Sequence, residues 1–226
     1  MYSIVLFDLD GTLTDPGIGI TNSVMYALEK FGIAVEERAL LYKFIGPPLL
    51  DSFMEFYGFD GEKANQAVIY YREYYKDKGI FENRVYDGIP ELLKRLKAAG
   101  KRMILATSKP EMFAKQILEY FDLSQYFDLI VGSDLEGTRN TKGKVINHAL
   151  HTYAGLTGQN MEMLKKQSVM IGDRHHDIDG AKENQIDSIG VLFGYGGREE
   201  LEMAGATCVV EEPEDIYYVE KMGSLQ

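Results

Sequence analysis

The sequence predicts an α/β protein, a doubly wound parallel sheet with an all-helical segment inserted near its N-terminus. Short apolar runs alternate with helical patterns along most of the chain. Such runs are typical of parallel strands, because helices cover both faces of the sheet. The alternation is interrupted once, between Pro16 and Asn83, where only helical patterns occur. The length of 226 residues allows one large domain or two small ones.

The core is predicted to contain six strands and six helices. The strands are Ser3–Phe7, Arg102–Ala106, Phe127–Val131, Ser168–Ile171, Ser188–Phe193 and Thr207–Val210. The helices are Ile89–Ala99, Glu111–Phe121, Thr141–Tyr153, Ile178–Asn184, Glu199–Ala204 and Pro213–Met222. Ligands of doubly wound sheets bind beyond the carboxyl ends of the strands. Polar residues directly after the predicted strands are therefore the candidates for function.

The inserted segment is predicted to fold into four helices. These are Ile20–Phe31, Glu36–Phe44, Leu49–Tyr57 and Glu62–Lys78. Gly46-Pro47-Pro48 separates the second from the third, because proline does not fit a helix interior. We therefore predict a core of residues 1–15 and 84–226 and a helical domain of residues 16–83.

Composition excludes several classes of partner. The 24 basic and 35 acidic residues give a net charge of −11, and binding to nucleic acid or to an anionic membrane depends on cationic contacts. No apolar stretch approaches the roughly 20 residues of a membrane span. Cys208 is the one cysteine, so neither an intramolecular disulfide nor a cysteine-rich zinc site can form. We expect a cytoplasmic monomer or homodimer with no nucleic-acid or membrane partner.

The strongest functional signal, Asp8-Leu9-Asp10-Gly11-Thr12, directly follows the first predicted strand. Acids two residues apart at a strand end point toward the same side, into the expected ligand crevice. Their repulsion is costly unless a cation lies between them or one takes a proton. The pattern fits a carboxylate nucleophile beside an acid/base partner, with Mg2+ held by oxygen ligands.

This motif resembles the signature of the haloacid dehalogenase superfamily, and three further segments resemble the later motifs of that family. They are Ile104-Leu105-Ala106-Thr107-Ser108-Lys109, Thr141-Lys142-Gly143-Lys144 and Ile171-Gly172-Asp173-Arg174-His175-His176-Asp177. The resemblance covers nearly the whole chain. It implies a Rossmann-like core with an inserted helical cap that selects the substrate, and a Mg2+-dependent phosphatase that works through an aspartyl-phosphate.

Carried over to this chain, the family's motifs assign a role to each matching residue. Asp8 would be the nucleophile and Asp10 the acid and then the base, while Lys142 would neutralise Asp8 and the phosphoryl group. Asp173 would bind Mg2+ with Asp8 and the main-chain carbonyl of Asp10, and Asp177 would contribute through water or as a neighbouring partner.

The phosphate of the substrate would be bound mainly by a hydroxyl. Thr107 occupies that position in the second motif, and Ser108 and Gly11 are further candidates. In the cap, Arg72 could meet a distal anionic group of the substrate. Phe44 or a cap tyrosine could stack on a nucleobase, although packing within the cap is the simpler interpretation.

Two other polar segments are given ordinary roles. His175 and His176 suggest a transition metal, but a catalytic zinc site needs about three protein ligands, so we expect a loop-edge role. Gly194-Tyr195-Gly196-Gly197 lacks the lysine and spacing of a P-loop, and we expect a flexible turn beside the site.

The closest resemblance is to the branch with 5′-nucleotidase-like and phosphoglycolate-phosphatase-like enzymes. We therefore predict a phosphomonoesterase of a small phosphorylated metabolite, with a nucleoside monophosphate as first choice and phosphoglycolate as alternative. A sugar phosphomutase would share all four motifs, and a non-catalytic binding module would not need them together. Dehalogenase chemistry is disfavoured, because that branch lacks the acid at Asp10.

Overall fold

The computed structural model describes residues 2–134 and 138–222. Within them, eight strands occur. They are β1 (Ile4–Phe7), β2 (Thr14–Asp15), β3 (Arg84–Val85), β4 (Arg102–Pro110), β5 (Leu129–Ser133), β6 (Ser168–Gly172), β7 (Asp187–Val191) and β8 (Cys208–Val210). Six of them form one parallel sheet in the order β5-β4-β1-β6-β7-β8. The predicted α/β fold with a parallel sheet is confirmed.

The strand order makes the sheet doubly wound. From β1 the chain builds outward through β4 and β5, then returns to the other side of β1 and builds outward through β6, β7 and β8. The direction reverses between β1 and β6, and ligands of such sheets bind at the carboxyl ends of the strands near this point. Asp8 and Asp173 come just after these two strands.

Seven helices accompany the strands of the core within the described residues. They are α4 (Ile89–Ala98), α5 (Glu111–Tyr120), α6 (Lys142–Thr157), α7 (Met161–Lys166), α8 (His175–Glu183), α9 (Arg198–Ala204) and α10 (Pro213–Met222). Ile4 and Leu6 join residues of α6, α7 and α8 in one apolar cluster. Val5 and Phe7, which point to the opposite face, are also fully buried. Both faces of the sheet are therefore covered, which explains the apolar strands.

The chain divides into two compact units. One consists of the residues up to Thr14 and from Val85 onward, and the other is Asp15–Arg84. The second unit is helical: it contains α1 (Gly17–Glu29), a 3-10 helix (Arg38–Phe44), α2 (Leu49–Tyr57), α3 (Gly61–Tyr74) and a π-helical turn (Tyr75–Gly79).

Two of the predicted helices in this unit differ from the structure. Glu36–Phe44 forms a shorter 3-10 helix, and Glu62–Lys78 is divided where α3 changes into the π-helical turn. That turn lies close to α1, since a Cβ on Gly19 would lie 1.9 Å from the carbonyl oxygen of Gly79. The close approach of the two backbones requires glycine at position 19.

The aromatic residues of the helical unit pack mainly against one another. Phe44 is 2% exposed, and its ring lies 5.1 Å from that of Phe53 and 5.3 Å from that of Phe56. Tyr71 and Tyr75 are buried and stack at 5.3 Å. The suggestion that Phe44 stacks on a nucleobase is therefore wrong, because neighbouring rings already cover it.

Candidate active site

Asp8 begins a tight loop at the carboxyl end of β1. The carbonyl of Leu9 accepts hydrogen bonds from the N–H groups of Leu13 and Thr14, at 2.9 and 3.0 Å, and this closes the loop. Gly11 has a φ of +85°, a backbone conformation that residues other than glycine rarely adopt. The loop folds back beside β1 and keeps Asp8 and Asp10 at the carboxyl edge of the sheet.

Lys142 lies at the centre of the site and joins two aspartates. Its Nζ is 2.7 Å from Oδ1 of Asp8 and 2.8 Å from Oδ1 of Asp177, and it donates to the carbonyl of Ala106 at 3.1 Å. Burial lowers the pKa of Lys142, but Asp177 and Asp8 raise it more, so the ammonium stays charged. Lys142 is the first residue of α6, whose N-cap Thr141 accepts from the N–H of Lys144.

Asp173 follows β6 and is only 1% exposed. Its Oδ2 accepts the N–H of Tyr195 at 2.8 Å, and its Oδ1 is 3.4 Å from the hydroxyl of Thr12. Burial raises the pKa of Asp173 well above the usual carboxyl range, and the charges of Asp177 and Asp8 raise it further. Among the described contacts, no lysine or arginine forms an ion pair with this carboxylate.

Asp177 is one helical turn further along, in the first turn of α8. Its Oδ2 accepts the N–H of Arg174 at 3.1 Å, and its Oδ1 faces Lys142. Burial raises its pKa, while Lys142 opposes the shift. One oxygen of Asp177 thus forms an ion pair with Lys142 and the other accepts a main-chain N–H.

The donor set fits a hard divalent cation. Asp8, Asp173 and Asp177 each offer a carboxylate oxygen, these oxygens lie within 4.8 Å of one another, and all three residues are buried. Lys142 supplies one positive charge against three negative ones, so two charges remain to be offset. Oxygen ligands of this kind suit Mg2+ or Ca2+ rather than softer metals.

The second motif lies in β4 and contributes three further polar residues to the site. Thr107 is 2% exposed, and its hydroxyl accepts the N–H of Lys109 at 3.2 Å. Ser108 is half-buried in the same strand. The ammonium of Lys109 forms an ion pair with Oδ2 of Asp10. Burial raises the pKa of Asp10, and Lys109 opposes that shift.

The structure brings most of the predicted site residues together in one unit. The contacts above join Asp8, Lys142 and Asp177 directly, and a Cβ on Gly11 would lie 2.2 Å from Oδ2 of Asp173. Arg72 is instead an exposed residue of α3 in the helical unit. Its role stays a prediction.

Sequence reasoning missed two partners of the site. The sequence motifs give Lys109 no role of its own, and its pairing with Asp10 depends on how β4 places it after the register shift between Ala106 and Pro110. The N–H of Tyr195 that binds Asp173 is a main-chain group, so the residue type at this position could not predict the contact. His175 and His176 lie beside each other, and His175 pairs with Asp179.

Residues 5–191 match the family described as haloacid dehalogenase-like hydrolase. The chain belongs to this family. Members of the haloacid dehalogenase-like family generally use a divalent metal, which agrees with the buried aspartate cluster. The protein is a hydrolase of the phosphatase type.

Three relatives match this chain over most of its length. A Pseudomonas aeruginosa protein named 5′-nucleotidase is 48% identical over 200 residues, covering 88% of this chain and 87% of that protein. A crystal structure of a predicted phosphatase from Clostridium acetobutylicum superposes with a TM-score of 0.91 at 50% identity, covering 98% and 99% of the two chains. A Mycobacterium tuberculosis protein named Tyrosine-protein kinase PtkA is 39% identical over 206 residues, which is 91% of this chain and 67% of that protein.

No helix in the described part of the chain combines the length and the apolar character that a membrane crossing requires.

Proposed function

We propose that this protein is a Mg2+-dependent phosphomonoesterase that works through an aspartyl-phosphate on a small phosphorylated metabolite. The contacts of Asp8 carry this proposal. The Nζ of Lys142 and the N–H of Leu9 both bind Oδ1, at 2.7 Å each. Neither of these contacts involves Oδ2, which we assign as the attacking oxygen.

In the first half of the reaction, Oδ2 of Asp8 attacks the phosphorus and the bond from phosphorus to the ester oxygen breaks. Asp10 gives its proton to that departing oxygen, so that the product leaves as an alcohol. Lys142 offsets the charge of Asp8 and of the transferred group. Thr107 donates its hydroxyl to a phosphoryl oxygen, with Ser108 and Gly11 as neighbouring contacts.

In the second half, Asp10 acts as a base. Its carboxylate takes a proton from water, the water oxygen bonds to phosphorus, and the bond from phosphorus to Oδ2 of Asp8 breaks. Inorganic phosphate leaves, and both aspartates return to their starting states. The contact with the Lys109 ammonium keeps the Asp10 carboxyl group in position, and it is an ion pair while Asp10 is deprotonated between the two halves.

The proposed cation is Mg2+, held by Asp8, Asp173 and the main-chain carbonyl of Asp10, with Asp177 acting through water. When bound, it supplies positive charge that offsets the negative charge of the phosphate. The remaining two-charge excess of the aspartate cluster and its all-oxygen composition support this assignment.

A nucleoside 5′-monophosphate is the first candidate substrate. The name of the Pseudomonas aeruginosa relative supports this choice. Phosphoglycolate is the alternative, and Arg72 is the candidate for contact with a distal anionic group. We propose that the enzyme is a cytoplasmic monomer or homodimer.

The test is phosphate release from AMP, UMP, dUMP and phosphoglycolate, each with Mg2+ or with chelator. We expect Mg2+-dependent turnover, highest for a nucleotide. Asp8→Asn should lose at least 1,000-fold in kcat, an order of magnitude typical of a lost nucleophile. Asp51→Asn, an exposed aspartate of α2, is the matched control and should behave like the unmodified enzyme.

Each part of the proposal has a result that contradicts it. Full activity of Asp8→Asn would exclude the aspartyl-phosphate. Faster turnover of phosphoglycolate than of all three nucleotides would reverse the substrate order. Transfer from ATP to a tyrosine peptide, without release of phosphate from any monoester, would favour the activity in the name of the mycobacterial relative. Isomerised sugar phosphate would indicate a phosphomutase.

A further inference from the structure

The turn after β7 lies directly against Asp173. A Cβ on Gly194 would lie 2.4 Å from Cβ of Asp173 and 2.3 Å from the carbonyl oxygen of Gly11. A Cβ on Gly196 would lie 1.9 Å from the carbonyl oxygen of Asp173. Real Cβ atoms do not come so close to other heavy atoms. We call residues Gly194–Gly196 the glycine turn.

The close approach, rather than backbone conformation, requires these glycines. Neither Gly194 nor Gly196 has a φ in the left-handed region, so a residue with a side chain could adopt the same backbone. What it could not do is fit its Cβ between the turn and Asp173. Gly197 differs, because nothing lies within 4 Å of the position of its Cβ.

The glycine turn also supplies a hydrogen bond. The N–H of Tyr195, between the two glycines, donates to Oδ2 of Asp173 at 2.8 Å. From the other side, the loop after β1 approaches the same carboxylate through Gly11 and the hydroxyl of Thr12. The Asp173 carboxylate is thus confined between two loops, and the turn touches its oxygen, its Cβ and its main chain.

We propose that the glycine turn is a positioning element that fixes the Asp173 carboxylate for the divalent cation. This inference rests on the proposed function, in which Asp173 is a ligand. Groups that orient a metal ligand typically contribute 10- to 100-fold to metal affinity. A turn in van der Waals contact with Asp173 orients the carboxylate before the ion binds. One extra methyl group at Gly194 or Gly196 would push the turn and Asp173 apart.

The experiment measures binding of Mg2+ alone by titration calorimetry, with no substrate present. The proteins are the unmodified enzyme, Gly194→Ala, Gly196→Ala and the matched control Gly197→Ala. We expect the dissociation constant for Mg2+ to rise at least 10-fold in the first two variants, and to stay within about 2-fold of the unmodified value in Gly197→Ala. Circular dichroism follows folding in each protein.

The outcomes separate this inference from the proposed function. If the unmodified enzyme binds no Mg2+, the proposed function fails. If it binds Mg2+ and folded Gly194→Ala and Gly196→Ala bind equally well, only the positioning role fails. If one of the two variants is unfolded, the other decides the outcome. If neither folds, the glycine turn is required for folding instead, and this contradicts the positioning role.

Discussion

The three clustered aspartates differ in which charges face them, and that difference separates their roles. Asp8 and Asp177 share the ammonium of Lys142, whereas Asp173 is held by the N–H of Tyr195 and the hydroxyl of Thr12. Neutral donors offset a buried charge less well than an ammonium does. Asp173 is therefore the member of the cluster whose charge is most costly when no cation is bound.

This cost predicts the behaviour of Asp173→Asn. The raised pKa of Asp173 means that its charged form destabilises the metal-free fold at pH 7. We expect the substitution to raise the melting temperature in chelator by a few degrees, the order expected for about 1 kcal/mol in a chain of this size. It should also abolish the rise that Mg2+ causes in the unmodified enzyme. A lower melting temperature in chelator, measured by scanning calorimetry, would contradict the argument.

Lys109 allows a second prediction at this scale. Lys109→Met removes the ammonium that holds Asp10, so proton transfer to the leaving oxygen should become less efficient. We expect kcat for a nucleotide to fall about 10-fold, which is less than the 100- to 10,000-fold contribution of a whole acid/base group. Hydrolysis of p-nitrophenyl phosphate, whose leaving group needs little protonation, should fall less.

The control for Lys109→Met is Lys115→Met, which removes an ammonium that pairs with Glu111 on α5. We expect that variant to be unaffected with both substrates. An equal loss for both substrates in Lys109→Met would show that Lys109 does not act through the acid step.

Among the helices, α8 fixes the position of the first turn of α6. A Cβ on Gly180 of α8 would lie 2.9 Å from the N of Gly143 and 2.9 Å from Cγ of Lys142. The side-chain amide of Asn184 also donates to the carbonyls of Gly143 and Gly180. The first turn of α6, and with it Lys142, is therefore fixed by packing on α8.

We expect Gly180→Ala to cost about 1–3 kcal/mol, as other overpacked sites do, and to lower kcat because Lys142 is displaced. Gly143→Ala is the matched variant. The three atoms nearest to its Cβ would all belong to the carboxylate of Glu183, an exposed residue whose side chain can rotate away. Its stability should stay within about 1 kcal/mol of the unmodified enzyme. Equal losses of stability and kcat in both variants would contradict this account.

Elements with a clear apolar pattern or sharp boundary residues were the easiest to predict from sequence. Leu49–Tyr57 and Pro213–Met222 agree to the residue, and the six core strands agree within a few residues. Helix α7 was missed because its six residues are too few to show a helical period clearly. Helix α8 begins at His175, earlier than predicted, because its first turn carries site residues instead of apolar ones. Strand β4 extends to Pro110 through a bulge that its apolar run does not reveal.

The residues of the site likewise divide into those that the sequence could predict and those that it could not. Asp8, Asp10 and Asp173 could be chosen because their residue types and their positions after strands carry the chemistry. The ion pair of Lys109 and the contacts of Gly194 could not, because each depends on a loop brought close in space by the fold. Residue types predict the reacting groups, whereas the groups that orient them emerge only from the packed structure.

For the whole molecule, the insertion points of the helical unit are adjacent. The N–H of Tyr86 donates to the carbonyl of Leu13 at 3.1 Å, and both residues belong to the core unit. The core thus closes on itself where the chain leaves it and returns. Each proposed catalytic and metal-binding residue also lies in the core unit.

We therefore expect the core to fold when residues 15–84 are replaced by a linker of about four glycine and serine residues, which is ample for such a short gap. Because the aspartate cluster and Lys142 remain, Mg2+ affinity measured by calorimetry should stay within about 3-fold, and p-nitrophenyl phosphate should still be hydrolysed. Because the proposed substrate-selecting domain is gone, the ratio of kcat/KM for a nucleotide to that for phosphoglycolate should approach one. A folded core that kept the selectivity of the full chain would place specificity in the core.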